Sequence, residues 1–140
     1  MLTTHKSVLG LDVGGKRVGV AVASLAARLP RPLLVLERGD SFLDDLATVM
    51  ADEDAGTLIV GLPRGLEGQS TGQTKTTEAF AKELSERFGV PVHLQDEALT
   101  SKQAESELEA RGKPYVRGDI DALAATYILR DWLGEHPEAA

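Results

Sequence analysis

A chain of 140 residues, 42% of them hydrophobic, supports one core and leaves no room for a second independent lobe, so residues 1–140 read as a single domain with its core at about 7–133. With no cysteine, disulfides and thiolate metal sites are excluded, and any metal must be held by oxygen or imidazole. The net charge of -7 argues, as an average, against a phosphate-rich partner; carboxylates gathered around a divalent cation would produce the same total and reverse the sign locally.

The first residues, MLTTHKSVLGLDVGG, lack a basic region followed by a long apolar stretch, and no run approaches membrane-spanning length. The expected setting is the cytoplasm, away from membranes. SVLGLDV (7–13) and RVGVAVAS (17–24) flank GGK in the pattern of a hairpin with a glycine turn. RPLLVLE (31–37) is a third strand, bounded by Pro30 and Pro32. SFLDDLATVMADED (41–54) then sets Phe42, Leu46, Val49 and Met50 at helical spacing behind a Ser cap. GTLIVGLP (56–63) is a continuous apolar strand, TTEAFAKELSERFG (76–89) a helix stopped by Gly89, and VPVHLQDE (90–97) a fifth strand. Two helices follow, TSKQAESELEARG (100–112) and DIDALAATYILRDWL (119–133), and the tail GEHPEAA reads as frayed. Three adjacent strands followed by alternating strands and helices predict an α/β fold, a mixed five-stranded sheet flanked by helices.

Asp12 interrupts the apolar first strand, where an unpaired charge is costly, so it requires a structural partner or a ligand. A second acidic position is the Asp96-Glu97 pair ending the fifth strand. Thr100 or Ser101 can cap the helix that follows, and the pair could simply favour that helix's positive end. The third lies in GDIDALAATYIL: Asp119 is an N-cap candidate, whereas Asp121 shares a face with Ala124, Ala125 and Ile128 and is drawn toward the sheet. Three carboxylates on three elements that converge suit a hard divalent cation such as Mg2+ or Mn2+, completed by substrate phosphate. The stretch GLPRGLEGQSTGQT (61–74) invites a phosphate-loop reading, but Thr74, not glycine, precedes Lys75-Thr76, and the P-loop pattern fails. A surface loop or a contact to a phosphate backbone remains.

LGLDVGGKRVGVAVAS, IVGLPRGLEGQSTGQTKTTEAFAKEL, DEALTSKQAESEL and DIDALAATYIL, in this order, resemble the YqgF (RuvX) family of Holliday-junction resolvases and ribosomal RNA precursor nucleases. The resemblance implies a ribonuclease H-like domain, three strands antiparallel and the rest parallel, that hydrolyses phosphodiesters with Mg2+ or Mn2+. By motif, Asp12, Glu97 and Asp121 would be the catalytic and metal-binding residues, with Asp119 as a substitute for the last. The family pattern usually continues DERLT; here Ala98 replaces the arginine, which puts one substrate contact in doubt. The implied substrate is nucleic acid, RNA in small-subunit rRNA maturation or else branched DNA, and a homodimer is possible in such a family. Lys16, Arg17, Arg64 and Lys75 are the candidate substrate-binding cations, with Arg111, Lys113 and Arg117 as a second route; each could equally be a solvated surface charge. A binding factor of the same fold that does not cleave is the rival reading, and the intact acidic trio speaks against it. An actin-like or sugar-kinase ATPase would need two duplicated domains, for which the chain is too short.

Overall fold

The computed structural model describes residues 5–139 except 66, 98 and 99; of residues 100–102 it describes the backbone. The elements in chain order are β1 (Ser7–Val13), β2 (Arg17–Ser24), β3 (Arg31–Glu37), α1 (Phe42–Glu53), β4 (Ala55–Pro63), α2 (Gly72–Phe88), β5 (Val92–Glu97), α3 (Thr100–Ala110) and α4 (Arg117–Glu135). One sheet of order β3-β2-β1-β4-β5 results, antiparallel across β3, β2 and β1 and parallel across β1, β4 and β5. The glycine turn closes β1 onto β2 where the Gly14 N–H donates to the Arg17 carbonyl at 2.8 Å. No helix among the described residues is long and apolar enough to cross a membrane.

Alternation along the strands sends large side chains to one face and small ones to the other. Leu9, Leu11, Val18, Val20, Val22, Leu58 and Val60 pack against Phe42, Leu46, Val49 and Met50 of α1 and Phe80, Ala81 and Leu84 of α2. The opposite face offers Val8, Ala21, Ala23 and Ile59 to Ala125, Ile128, Leu129, Trp132 and Leu133 of α4. Helix α3 lies against α4 through Ala104, Leu108, Leu123 and Ala124.

Close approach of α4 depends on glycines in the strands beneath it. A Cβ at Gly10 would stand 2.8 Å from the Ala125 carbonyl oxygen and 2.9 Å from Leu129 Cβ. One at Gly19 would collide with the Asp121 carbonyl and lie 2.8 Å from the Ala122 nitrogen. Because these obstacles are backbone atoms or the root of a side chain, the helix itself would have to move.

Three expectations are corrected. Helix α2 begins at Gly72, four residues before Thr76, because Thr71 caps it: Thr71 Oγ1 accepts from the Thr74 N–H, and the Thr71 N–H donates to Thr74 Oγ1. The end of the supposed glycine-rich loop, residues 72–74, is therefore helix, and Lys75 sits on α2. Helix α4 begins at Arg117, so Asp119 is not the N-cap but the third helical residue, where its Oδ2 accepts from the Val116 N–H at 3.0 Å. The tail is not frayed as far as residue 139. Arg28, held in the left-handed region at φ 57°, donates from Nη1 to the Ala139 carbonyl and from Nη2 to those of Leu133 (2.7 Å) and His136 (2.9 Å). That guanidinium satisfies carbonyls that the end of a helix leaves without intrahelical donors. The expected Thr100 or Ser101 side-chain cap, and the substitution at Ala98, lie outside the described residues.

Candidate functional site

Val8, Gly10 and Asp12 share the α4 face of β1, and the same alternation carries Gln95 and Glu97 to that side of β5. Asp12 lies at the carboxyl end of β1, opposite Gly19 in the register with β2, and Glu97 is the last residue of β5. Asp121 is the fifth residue of α4, and its backbone rests directly over Gly19. The glycines thus do double service: they let the helix down onto the sheet and bring the third carboxylate to the first two. Gly61 on β4 completes the floor, since a Cβ there would stand 2.6 Å from Glu97 Oε2.

The three carboxylates line one cleft of about 490 Å³, walled also by Val13 to Arg17, Gln73 and Arg117. Burial, then the negative charges of Glu97 and Asp121, push the Asp12 carboxyl up from 3.8 to about 7. Arg17 Nε donates to Asp121 Oδ2 at 2.8 Å, a part-exposed ion pair that orients the aspartate more than it stabilises the fold. Among the described residues no three Asp, Glu, His or Cys side chains are already drawn together as a metal-binding cluster. As donors, however, the three side chains are all carboxylates, and the burial and neighbouring negative charge that raise the Asp12 carboxyl are both what a hard cation bound there would offset.

Of the four cations read from the sequence, Lys16 and Arg17 line the cleft. Arg64 and Lys75 do not. Arg64 Nε is 3.2 Å from Asp96 Oδ1 and its Nη1 is 3.1 Å from Ser70 Oγ, while Lys75 is exposed on α2. Gln73 was missed because the Thr71 and Thr74 hydroxyls, which place it in the first turn of α2, read as loop composition rather than as a cap. Arg117 takes its place through the early start of α4.

Comparison with known proteins adds to this geometry. The family model described as RuvX, Holliday junction resolvase, matches residues 6–135. The chain belongs to the RuvX family. Among RuvX relatives, a protein of Anaeromyxobacter sp. (strain Fw109-5) named "Putative pre-16S rRNA nuclease" is 40% identical over 133 residues, covering 91% of this chain and 97% of the relative. Proteins of the same name from Crocosphaera subtropica and Pseudomonas savastanoi pv. phaseolicola are 39% and 35% identical, covering 92% and 94% of this chain and 93% of each relative. Among solved structures, Thermus thermophilus RuvC in complex with a Holliday junction substrate aligns with TM-score 0.53 at 19% identity, over 96% of this chain and 98% of that one. The fowlpox virus resolvase with Holliday junction DNA aligns with TM-score 0.54 at 11% identity, over 94% and 98%. These likenesses show the ribonuclease H-like fold of the RuvX chain.

Proposed function

We propose that this protein is a nuclease that hydrolyses phosphodiester bonds in ribosomal RNA precursors, with Asp12, Glu97 and Asp121 as its catalytic carboxylates and Mg2+ or Mn2+ as its cofactor. The reading is carried by one observation: three carboxylates from a strand, a second strand and a helix share a single cleft with Lys16, Arg17 and Arg117. The names borne by relatives at 35–40% identity across almost the whole chain point to the same activity.

Oxygen donors on all three side chains would hold the cation, which supplies activation of the attacking water and stabilisation of the leaving oxygen. The remaining work falls to the chain itself. Gly14 and Gly15 wall the cleft with backbone only, so a phosphate can come close to Asp12. Arg17 holds Asp121 by Oδ2 and so fixes that carboxylate where it lines the cleft. Lys16 and Arg117 offset the negative charge that a phosphodiester brings to a protein of net charge -7.

The test incubates the purified protein with labelled rRNA precursor and, in parallel, a four-way DNA junction, each with manganese, magnesium or EDTA. The reading expects metal-dependent cleavage of RNA that Asp12→Asn abolishes. Cleavage of the junction alone would replace it with a resolvase, the description attached to the family model. Binding without cleavage under every metal condition would leave a non-catalytic RNA-binding factor. We place the protein in the cytoplasm, where such a substrate would be met.

A further inference from the structure

Three hollows meet at the β1–β2 turn. The carboxylate cleft is the first. A second, of about 360 Å³, is lined by Gly15, Lys16, Arg17, Glu37 and Arg38. A third, of about 290 Å³, runs along Arg38, Gln73, Thr76 and Phe80 on the other flank of Gly14 and Gly15. Gly15 borders all three, and Gln73 borders both the first and the third, so a continuous groove leads from Asp12 around the turn to Arg38.

Arg38 is exposed, yet it is fixed. Its Nη1 donates to the Gly14 carbonyl at 2.9 Å, its guanidinium carbon lies 5.0 Å from the centre of the Phe80 ring, and its own N–H donates to the Lys16 carbonyl at 2.8 Å. Stacking over an aromatic ring and bonding a carbonyl hold the planar fork without consuming its charge. The other arginines show what is unusual here. Arg17, Arg31, Arg64, Arg87, Arg111 and Arg130 each pair with a carboxylate, and Arg28 is occupied by carbonyls of the carboxyl-terminal tail. Arg38 and Arg117 pair with no carboxylate among the described residues, and both border the groove. In a chain with 22 acidic and 15 basic residues, two uncompensated arginines on one groove mark where an external anion is taken.

We propose that Arg38 is a phosphate-binding position for the nucleic acid strand, anchoring a phosphate beside the scissile one across the β1–β2 turn from the carboxylates. The proposal rests on the nuclease reading and adds a positioning residue to it. Gly14 follows Asp12 by two residues, a span of at most about 7 Å, so a guanidinium tied to the Gly14 carbonyl is within reach of a phosphate next to the one at Asp12. The strand is held on one flank by Arg38 and on the other by Lys16 and Arg117.

The experiment measures binding of a labelled single-stranded RNA oligonucleotide to the full chain by fluorescence anisotropy across a salt series, in EDTA and again in the Asp12→Asn background with magnesium. Arg38→Gln keeps a donor for Gly14 and removes the charge; Arg38→Lys keeps the charge. The glutamine variant is expected to bind about tenfold more weakly at low salt, the size of one charge-assisted contact. Its slope of log affinity against log salt should be shallower by about 0.7, and the lysine variant should restore the wild-type slope. A glutamine variant with wild-type affinity and slope, even with a lowered melting temperature, would overturn the role of Arg38 while leaving the nuclease reading intact. A lysine variant with the slope of the glutamine variant would also overturn it, since the effect would then come from the turn and not the charge. If neither the wild-type chain in EDTA nor the Asp12→Asn chain with magnesium binds the RNA at low salt, the RNA-nuclease reading itself has failed.

Discussion

Replacing Asp12 by Asn should stabilise the protein, and do so more as pH rises. In the native state burial and the charges of Glu97 and Asp121 push the Asp12 carboxyl from 3.8 to about 7. At a pH below 3.8 both native and unfolded chains carry the proton, and ionisation of the side chain makes no contribution to stability. Between 3.8 and about 7 the unfolded chain has lost a proton that the native one still holds, so wild-type stability falls as pH rises; above about 7 the deficit is complete. Its ceiling is about 4 kcal/mol, and unfolding entropy scaled to 140 residues converts each kcal/mol into roughly 3 °C. The melting temperature of Asp12→Asn in EDTA should therefore exceed that of wild type by a margin that widens from pH 5 to pH 8 and reaches at most about 12 °C. Adding magnesium or manganese should narrow the margin, because a cation that binds the native site raises wild-type stability by mass action. Thermal melts followed by circular dichroism at half-unit pH steps measure this. A margin that stays constant from pH 5 to 8, or a wild type more stable than the variant at pH 8 in EDTA, would refute the electrostatic account of the site.

Gly19→Ala places a methyl group against the Asp121 backbone and should cost roughly 1–3 kcal/mol in chemical denaturation, with a loss of nuclease rate larger than the stability loss explains. Asp121→Asn should lower the cleavage rate by orders of magnitude, whereas Asp119→Ala should cost about 1 kcal/mol of helix stability and little activity, because Asp119 serves only the Val116 N–H; rates and melts of the two variants decide the ranking. The double substitution Arg64→Ala with Lys75→Ala should leave the salt dependence of RNA binding at its wild-type slope, since neither residue lines the cleft and Arg64 is paired with Asp96. Arg28→Met should lower the melting temperature and expose the last turn of α4 to hydrogen exchange without changing the metal dependence of cleavage.

The strands were legible because their alternation is strong: the odd-numbered valine and leucine of β1 face one way and Val8, Gly10 and Asp12 the other, and a one-residue error would have inverted both. Helix ends were less so. The start of α4 was misplaced because Val116, which occupies its N-cap position, has no side chain able to cap, so the nearest aspartate attracted that assignment. The start of α2 was misplaced because a threonine pair three residues apart was read for its composition instead of its reciprocal bonds. The Arg28 clamp joins residues 111 apart, and no local pattern announces it. For the same reason Arg38 escaped notice: its fixation comes from a carbonyl in the β1–β2 turn and an aromatic ring on α2.

The order in which the site is made follows from the ion pair between Arg17 and Asp121, 104 residues apart. During synthesis β1 to β5 emerge first, carrying Asp12 and Glu97, while the helix that supplies Asp121 follows them. Until it arrives, the sheet face formed by Val8, Ala21, Ala23 and Ile59 has no cover, and the unfinished chain must be protected or remain uncollapsed. An enzyme whose proposed substrate is part of the ribosome thus passes through synthesis with the third of its proposed carboxylates still missing, and the cleft is complete only once α4 has emerged and settled on the sheet.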